Sequence, residues 1–100
     1  MTLPVILLPR ATRAVASAMD YYDTVRPGYG KLFFLEVERT IDIIAHWPEA
    51  YPLVTSRLRR APVRRFSDTL VYRPFPDFVR VLDIVADRRG PAILASLDLR

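Results

Sequence analysis

The sequence contains no cysteine, a single histidine and no long apolar run, and each absence excludes a class of protein. Without cysteine there is no disulfide, no thiolate nucleophile and no cysteine-ligated metal. His46 alone cannot form a histidine cluster, so we expect no metal and no cofactor. No apolar run reaches the roughly 18 to 20 residues of a membrane-spanning helix, and the first residues lack a basic leader and a small-residue cleavage site. We therefore expect a cytoplasmic protein with no membrane partner.

Size and charge indicate one domain with a basic half. The 100 residues, 51% of them hydrophobic, suffice for a single domain over residues 1–100. The net charge of +4 favours nucleic acid or an acidic protein as partner. Residues 1–56 carry five cationic side chains against six carboxylates, whereas residues 57–100 carry ten arginines against five aspartates. The basic surface should therefore belong to the second half.

The first half predicts a strand followed by a helix hairpin. Residues 3–8 form a short apolar run typical of a strand, and Pro9 suits the start of a helix over residues 10–25. Residues 26–30 contain proline and two glycines and predict a tight turn before a second helix over residues 31–46. The apolar stripe of the first helix is Ala11, Val15, Ala18, Met19, Tyr22 and Val25. That of the second is Phe34, Val37, Ile41 and Ile44, widened by Phe33 and Ala45.

The second half predicts three strands. Residues 53–58 give a weak strand pattern, residues 63–73 a stronger one and residues 78–86 the strongest, and residues 87–97 suggest a basic turn and a short helix. In the last strand, apolar residues occur at both odd and even positions, which indicates a central strand covered on two faces. Asp83 interrupts that strand, and we expect it to contact an arginine of the preceding strand, because a buried carboxylate is costly unless paired.

Six arginines alternate with apolar residues over residues 57–73. A sheet would gather several of these guanidinium groups on a limited area, where their planar forks can bind phosphate or carboxylate. The alternative is a solvated basic face that discourages edge-to-edge aggregation. Tyr72 can face either the core or this surface, and Trp47 is interpreted as a core plug after the second helix unless it proves exposed, which would indicate a partner site. The six arginines are Arg57, Arg59, Arg60, Arg64, Arg65 and Arg73.

The order of elements and the residues at their joints resemble the RelE/ParE toxin superfamily, with the ParE branch the closer match. The resemblance covers about residues 5–91 and depends on an ordered set, because no single motif is diagnostic. It implies an α+β fold: a strand, a helix hairpin and a three-stranded antiparallel meander, forming one mainly antiparallel sheet packed on the two helices, with a short C-terminal helix or tail. The set comprises Tyr21, Tyr22, residues 26–30, Phe33, Glu36, Glu38, Ile41, Pro48, Tyr51, Pro52, Arg59, Arg60, Arg64, Arg65, Phe66, Tyr72, Val81, Leu82, Arg88, Arg89 and Pro91.

Two target classes are known in this superfamily, and the sequence favours one. RelE-type members cleave mRNA on the ribosome, which requires proton transfer as well as charge stabilisation, whereas ParE-type members poison DNA gyrase. The arginine that precedes the Leu-Val-Tyr segment in RelE-type members is replaced by Thr69. Asp87 and Leu94 stand where such members carry a basic and an aromatic residue. A gyrase-directed, non-enzymatic toxin is therefore the preferred interpretation.

The resemblance implies a toxin of a type II toxin–antitoxin module, held in a hetero-oligomer by a cognate antitoxin with an acidic or amphipathic segment. The alternatives are a ribosome-dependent mRNA endonuclease, with Arg64, Arg65 and Arg88 as charge stabilisers, a nucleic-acid-binding module and an inactive homologue. The residues predicted to contact target or antitoxin are Arg57, Arg59, Arg60, Arg64, Arg65, Tyr72, Arg73, Arg80, Arg88 and Arg89.

Overall fold

Two helices pack against one face of a four-stranded sheet. The structure is a computed structural model, and it describes residues 2–86. The strands follow the order β1-β4-β3-β2, with β1 parallel to β4 and the other pairs antiparallel, which confirms the predicted α+β fold with a mainly antiparallel sheet. The predicted C-terminal turn and short helix lie outside the described residues. The elements are β1 (Val5–Leu7), α1 (Pro9–Val25), α2 (Tyr29–His46), β2 (Arg59–Pro62), β3 (Asp68–Pro74) and β4 (Val79–Ala86).

Two glycines allow the tight turn between the two helices. Gly28 precedes α2 with a φ of +92°, a left-handed conformation that glycine adopts without steric cost. Gly30, in the first turn of α2, has no room for a side chain, because a Cβ atom there would lie 2.5 Å from the carbonyl oxygen of Met19. The Gly30 N–H donates to the Asp23 carboxylate at 2.9 Å. The predicted turn between the helices is therefore confirmed, although α2 begins at Tyr29, two residues before the predicted start.

One hydrophobic core fills the space between the helices and the sheet. Phe33 of α2 is fully buried in it, whereas Phe34 is 39% exposed and Val25 of α1 is 59% exposed. The predicted stripes are therefore wrong at Phe34 and Val25. Successive helical residues point about 100° apart, so the apolar run of residues 32–35 is compatible with two helix phases. The sheet contributes Ala61, Leu70, Tyr72, Val79, Val81 and Ile84 to this core.

Residues 53–58 do not form the strand that their sequence predicts. Leu53 makes one isolated bridge to Arg59, and β2 begins only at Arg59. The Leu58 N–H donates to the Thr55 hydroxyl oxygen at 3.0 Å. This local hydrogen bond competes with a strand ladder, and the segment folds back on itself.

A turn separates β2 from β3. The predicted strand over residues 63–73 is wrong in its first part, because β3 begins at Asp68 and the Val63 N–H donates to the Asp68 carbonyl at 2.9 Å. Arg65 lies inside the turn with a φ of +74°, in the left-handed region. Pro62 ends β2, since it has no N–H with which to continue a ladder.

β4 is the central strand and is buried on both faces, as predicted. Tyr72 pairs with Val81 but Val71 pairs with Asp83, so Leu82 is the extra residue of a β-bulge. The bulge changes which side chains face the helices. The opposite face of the sheet holds a second cluster of Leu58, Val71, Leu82 and Val85.

Asp83 is paired with a helix and not, as predicted, with the preceding strand. Its side chain is 2% exposed, and its Oδ2 lies 2.9 Å from Nε of Arg10 in the first turn of α1. Its Oδ1 accepts the Ile84 N–H at 2.8 Å. The prediction of an arginine on β3 is wrong because the residue opposite Asp83 is Val71.

Two tyrosine hydroxyl groups form hydrogen bonds that join the sheet to α1 and to the segment after α2. Tyr22 of α1 donates to the Asp68 carboxylate at the start of β3. Burial, reinforced by this hydrogen bond and by the Asp68 charge, raises the pKa of Tyr22 to about 12. Tyr72 is fully buried and donates to the Pro48 carbonyl at 2.8 Å. Burial raises the pKa of Tyr72 to about 12, against the opposing effect of the Arg59 charge.

Truncating Phe33 should destabilise the fold much more than truncating its neighbour. We expect Phe33→Ala to lower the free energy of unfolding by ~3–5 kcal/mol, because it leaves a cavity between hairpin and sheet. Phe34→Ala, which removes the same atoms from a side chain that is 39% exposed, should cost about 1 kcal/mol. Urea denaturation of both variants measures the difference, and equal losses would contradict the helix phase described above.

The raised pKa values of Tyr22 and Tyr72 predict that the protein becomes less stable at alkaline pH. The pKa of Tyr72 is about 12 in the folded protein and about 10 in an unfolded chain, so the unfolded state loses its proton first. The free energy of unfolding should therefore fall as the pH rises from about 10 to about 12. Tyr72→Phe should cost about 1 kcal/mol at neutral pH through the lost hydrogen bond and should flatten this alkaline fall. Urea titrations at several pH values test this, and parallel profiles for both proteins would contradict it.

Candidate interaction surfaces

Three of the predicted arginines share the face of the sheet that the helices leave open. Arg60 of β2 is opposite Val71, which belongs to the second cluster on that face. Arg73 lies two residues further along β3 and is opposite Arg80 of β4, so alternation places all three on one side. Arg60 donates from Nη2 to the Thr69 hydroxyl at 3.3 Å. We call Arg60, Arg73 and Arg80 the sheet-face arginines.

Arg73 and Arg80 are stacked on a pair of phenylalanines at the tip of the β3–β4 hairpin. Their guanidinium carbons lie 4.6 and 5.0 Å from the ring centroid of Phe75. The Phe75 and Phe78 rings are themselves parallel, with centroids 4.6 Å apart. Within residues 2–86 no carboxylate lies within ion-pair distance of either arginine. Two like charges thus face each other across the ladder and are available to an anion.

Arg64 and Arg65 lie elsewhere, in the exposed turn between β2 and β3. Arg65 lines a cavity of about 310 Å³ beside α2, which we call the α2 cavity. Arg39 also lines it, a residue that sequence reasoning missed although it follows Glu36 at the i,i+3 spacing of a helical pair. The cavity walls further include Leu32, Leu35 and Phe66.

Glu36 is a buried carboxylate with few partners at the edge of the α2 cavity. Its residue exposure is 8%, and its Oε1 lies 3.7 Å from the Nε of Arg39. Within the described residues its Oε2 has no hydrogen-bond partner. An incompletely paired buried carboxylate is costly, so this cavity favours a partner that supplies a hydrogen-bond donor.

The remaining predicted residues have other roles or cannot be placed. Arg59 donates from Nη1 to the carbonyl of Tyr51 at 2.7 Å and to that of Glu49 at 3.4 Å, which anchors the segment after α2. Tyr72 is a core residue with no exposed surface, so it does not extend the basic surface. Arg57 is exposed in the loop before β2. Arg88 and Arg89 lie outside the described residues.

Trp47 is exposed, contrary to the prediction that it plugs the core after the second helix. It is 63% exposed and therefore not a core plug, and the aromatic residue buried beside this loop is Tyr72, which donates to the carbonyl of the next residue, Pro48. Trp47 lines a groove of about 790 Å³ between the end of α2 and the β3–β4 hairpin. We call it the Trp47 groove. Its walls are Leu3, His46, Trp47, Pro48, Glu49, Ala50, Pro74, Phe75 and Pro76.

The sheet-face arginines can hold an anion but are poorly equipped for proton transfer. Arginine stays protonated at neutral pH, and no lysine or histidine occurs in β2, β3 or β4. His46 ends α2, with its Nδ1 2.9 Å from the Asp42 carbonyl oxygen. Within residues 2–86 no group of three or more histidine, cysteine, aspartate or glutamate side chains could hold a metal ion. In the same part of the chain, no helix has both the length and the apolar character to cross a bilayer.

Comparison with known proteins identifies the fold. No family model matches the chain. No curated protein matches it. A solved chain from the chromosomal ParDE TA system from P. aeruginosa has a similar structure, with a TM-score of 0.74 at 11% sequence identity. The similarity covers 85% of this chain and 96% of that one, so nearly the whole of that chain shares the fold described here.

Proposed function

We propose that this chain is the toxin of a type II toxin–antitoxin module, of the ParE-like kind, and that a cognate antitoxin neutralises it. The observation that carries the proposal is the fold shared with a chain of the ParDE system over 85% of residues. The ordered residues at the joints between elements, which resemble the RelE/ParE superfamily, support the proposal independently of the three-dimensional structure.

We further propose that the toxin acts by binding DNA gyrase and not by cutting RNA. RNA cleavage needs activation of the 2′-hydroxyl and protonation of the leaving oxygen as well as charge stabilisation. Strands β2, β3 and β4 contain arginines but no histidine or lysine. Thr69, at the position of a RelE-type arginine, is 3% exposed and accepts a hydrogen bond from Arg60. These features support a binding surface over a catalytic one.

The α2 cavity suits the antitoxin. Leu32 and Leu35 are 41% and 46% exposed there, so a partner would cover apolar surface. Arg39 and Arg65 flank this apolar surface with positive charge. An amphipathic segment complements these features when its carboxylates lie beside the two arginines and a hydrogen-bond donor lies beside Glu36.

A ribosome-dependent mRNA endonuclease is the second candidate. The observation that favours it is the gathering of Arg60, Arg73 and Arg80 on one face of the sheet, where they could bind a phosphate backbone. A plain nucleic-acid-binding module would use the same charges, and its affinity would fall steeply with salt.

Expression of the chain should arrest bacterial growth, and co-expression of the product of the adjacent gene should relieve the arrest. Purified protein should inhibit supercoiling by gyrase or trap gyrase on DNA, because the proposed target is the enzyme itself. Supercoiling assays and primer-extension mapping of translated messages measure the two alternatives side by side. Cuts phased with codons, with gyrase unaffected, would establish the endonuclease instead.

The turn arginines should contribute to binding and not to stability. We expect the double variant Arg64→Ala, Arg65→Ala to change the free energy of unfolding by no more than ~0.5 kcal/mol, since both side chains are exposed. Its affinity for antitoxin or gyrase should fall about tenfold, because complementary charge is lost at the edge of the interface.

The control for this double variant is Arg13→Ala, which removes an exposed charge from α1. It should bind like the wild type when measured by titration calorimetry. Loss of cooperative unfolding in the double variant would show that the turn arginines are structural.

A further inference from the structure

The Trp47 groove is apolar, open and rigidly framed. Trp47 caps α2, where its N–H donates to the Ile43 carbonyl at 2.8 Å and its own carbonyl accepts the Ala50 N–H at 3.0 Å. On the facing wall, Pro74 and Pro76 flank Phe75 and restrict the backbone there. A groove whose walls are already ordered loses little conformational entropy when it is filled.

Positive charge lies immediately behind this wall. Phe75 lines the groove and also carries the guanidinium groups of Arg73 and Arg80, at 4.6 and 5.0 Å from its ring centroid. A strand rises about 3.3 Å per residue, so an extended segment seated in the groove reaches these groups within one or two residues. Opposing like charges make an added carboxylate favourable at this position.

We propose that the Trp47 groove binds an extended segment of a partner protein, with an apolar side chain seated between Trp47 and Phe75 and a carboxylate paired with Arg73 and Arg80. Aromatic-lined grooves are typical of domains that bind extended, proline-rich segments. Glu49 also lines the groove and disfavours a carboxylate beside it, so the acidic residue of the segment should lie at the arginines. The inference does not depend on the proposed toxin function.

A protein segment fits the groove better than a nucleic acid or a second copy of the chain. The Phe75 ring stacks on Phe78 and carries two guanidinium groups, so a base would have to displace one of them to stack there, whereas an apolar side chain can pack against the ring edge. Glu49 would also repel a phosphate backbone. A second copy would bring like charges together, since the chain has a net charge of +4.

The single tryptophan of the chain makes the proposal directly measurable, because its fluorescence reports on the groove alone. The probe is a capped synthetic peptide of about ten residues, mostly proline, with one central leucine followed by aspartates. A second peptide carries asparagine in place of aspartate. At low salt we expect the aspartate peptide to shift the emission to shorter wavelength and to bind about tenfold more tightly than its asparagine counterpart.

Variants of the full chain locate the binding. Arg80→Gln should reduce affinity for the aspartate peptide about fivefold to tenfold while leaving affinity for the asparagine peptide unchanged. Trp47→Ala should abolish binding of both peptides. Because this variant lacks the fluorescent tryptophan, its binding is measured by the anisotropy of a labelled peptide. Arg13→Gln, which removes an equal charge from α1, should bind like the wild type. Thermal unfolding checks that each variant is folded.

Several outcomes would overturn the proposal. These are equal affinity for the two peptides, no emission shift with either, or an equal loss of affinity in Arg80→Gln and Arg13→Gln. Quenching of Trp47 by oligothymidylate that competes with the peptide would assign the groove to nucleic acid. A concentration-dependent emission shift accompanied by dimers in sedimentation equilibrium would assign it to a second copy.

Discussion

The pairing of Asp83 with Arg10 is the contact on which the arrangement of helices and sheet depends. β4 is paired on both sides and buried on both faces, so a carboxylate within it has no access to bulk water and must be neutralised by the protein. Removing Arg10 should cost up to roughly 3–5 kcal/mol, because the Asp83 carboxylate would stay buried, whereas Arg10 is itself 33% exposed. The arginine comes from the first turn of α1, so the ion pair holds the N-terminal end of that helix next to β4.

The far end of α1 is fixed in the same way, by a polar group of the helix that bonds to a carboxylate of the sheet. Tyr22 lies in the last turns of α1 and donates to Asp68, the first residue of β3. Apolar packing between these two contacts is non-directional, whereas each polar contact specifies one geometry. Together the contacts determine the position of α1 along the sheet, and the two glycines of the hairpin then bring α2 close beside it.

Local features of the fold could be predicted from the sequence, and features set by tertiary contacts could not. Pro9 and the glycines after α1 mark helix ends through backbone conformation alone, so the hairpin was predicted correctly. The predicted stripe of α2 is wrong only at Phe34, because four consecutive apolar residues leave the burial of Phe33 over Phe34 to the neighbouring elements. The predicted partner of Asp83 is wrong because the arginine comes from α1, far away in the sequence, and no local pattern reveals this contact.

The distribution of the arginines over the surface also could not be predicted from the sequence. Six arginines over residues 57–73 look like one surface in sequence, but the turn before β3 divides them. Arg65 is directed to the α2 cavity, Arg73 remains on the sheet face, and Arg59 is used to hold the segment after α2. Sequence spacing predicts alternation within a strand, yet it does not predict where the strand is interrupted.

The division of the arginines has a consequence for how many partner segments the chain can hold. The α2 cavity lies beside the first half of α2, and the Trp47 groove lies at its end. The residues that line the two sites come nearest along α2 at Arg39 and His46, which are seven residues or about 10 Å apart at 1.5 Å rise per residue. An extended segment rises about 3.3 Å per residue, so three or four further residues suffice to connect the two proposed sites. Each proposed site joins apolar walls to its own arginines, so the geometry is compatible with two short motifs on one partner as well as with two separate partners.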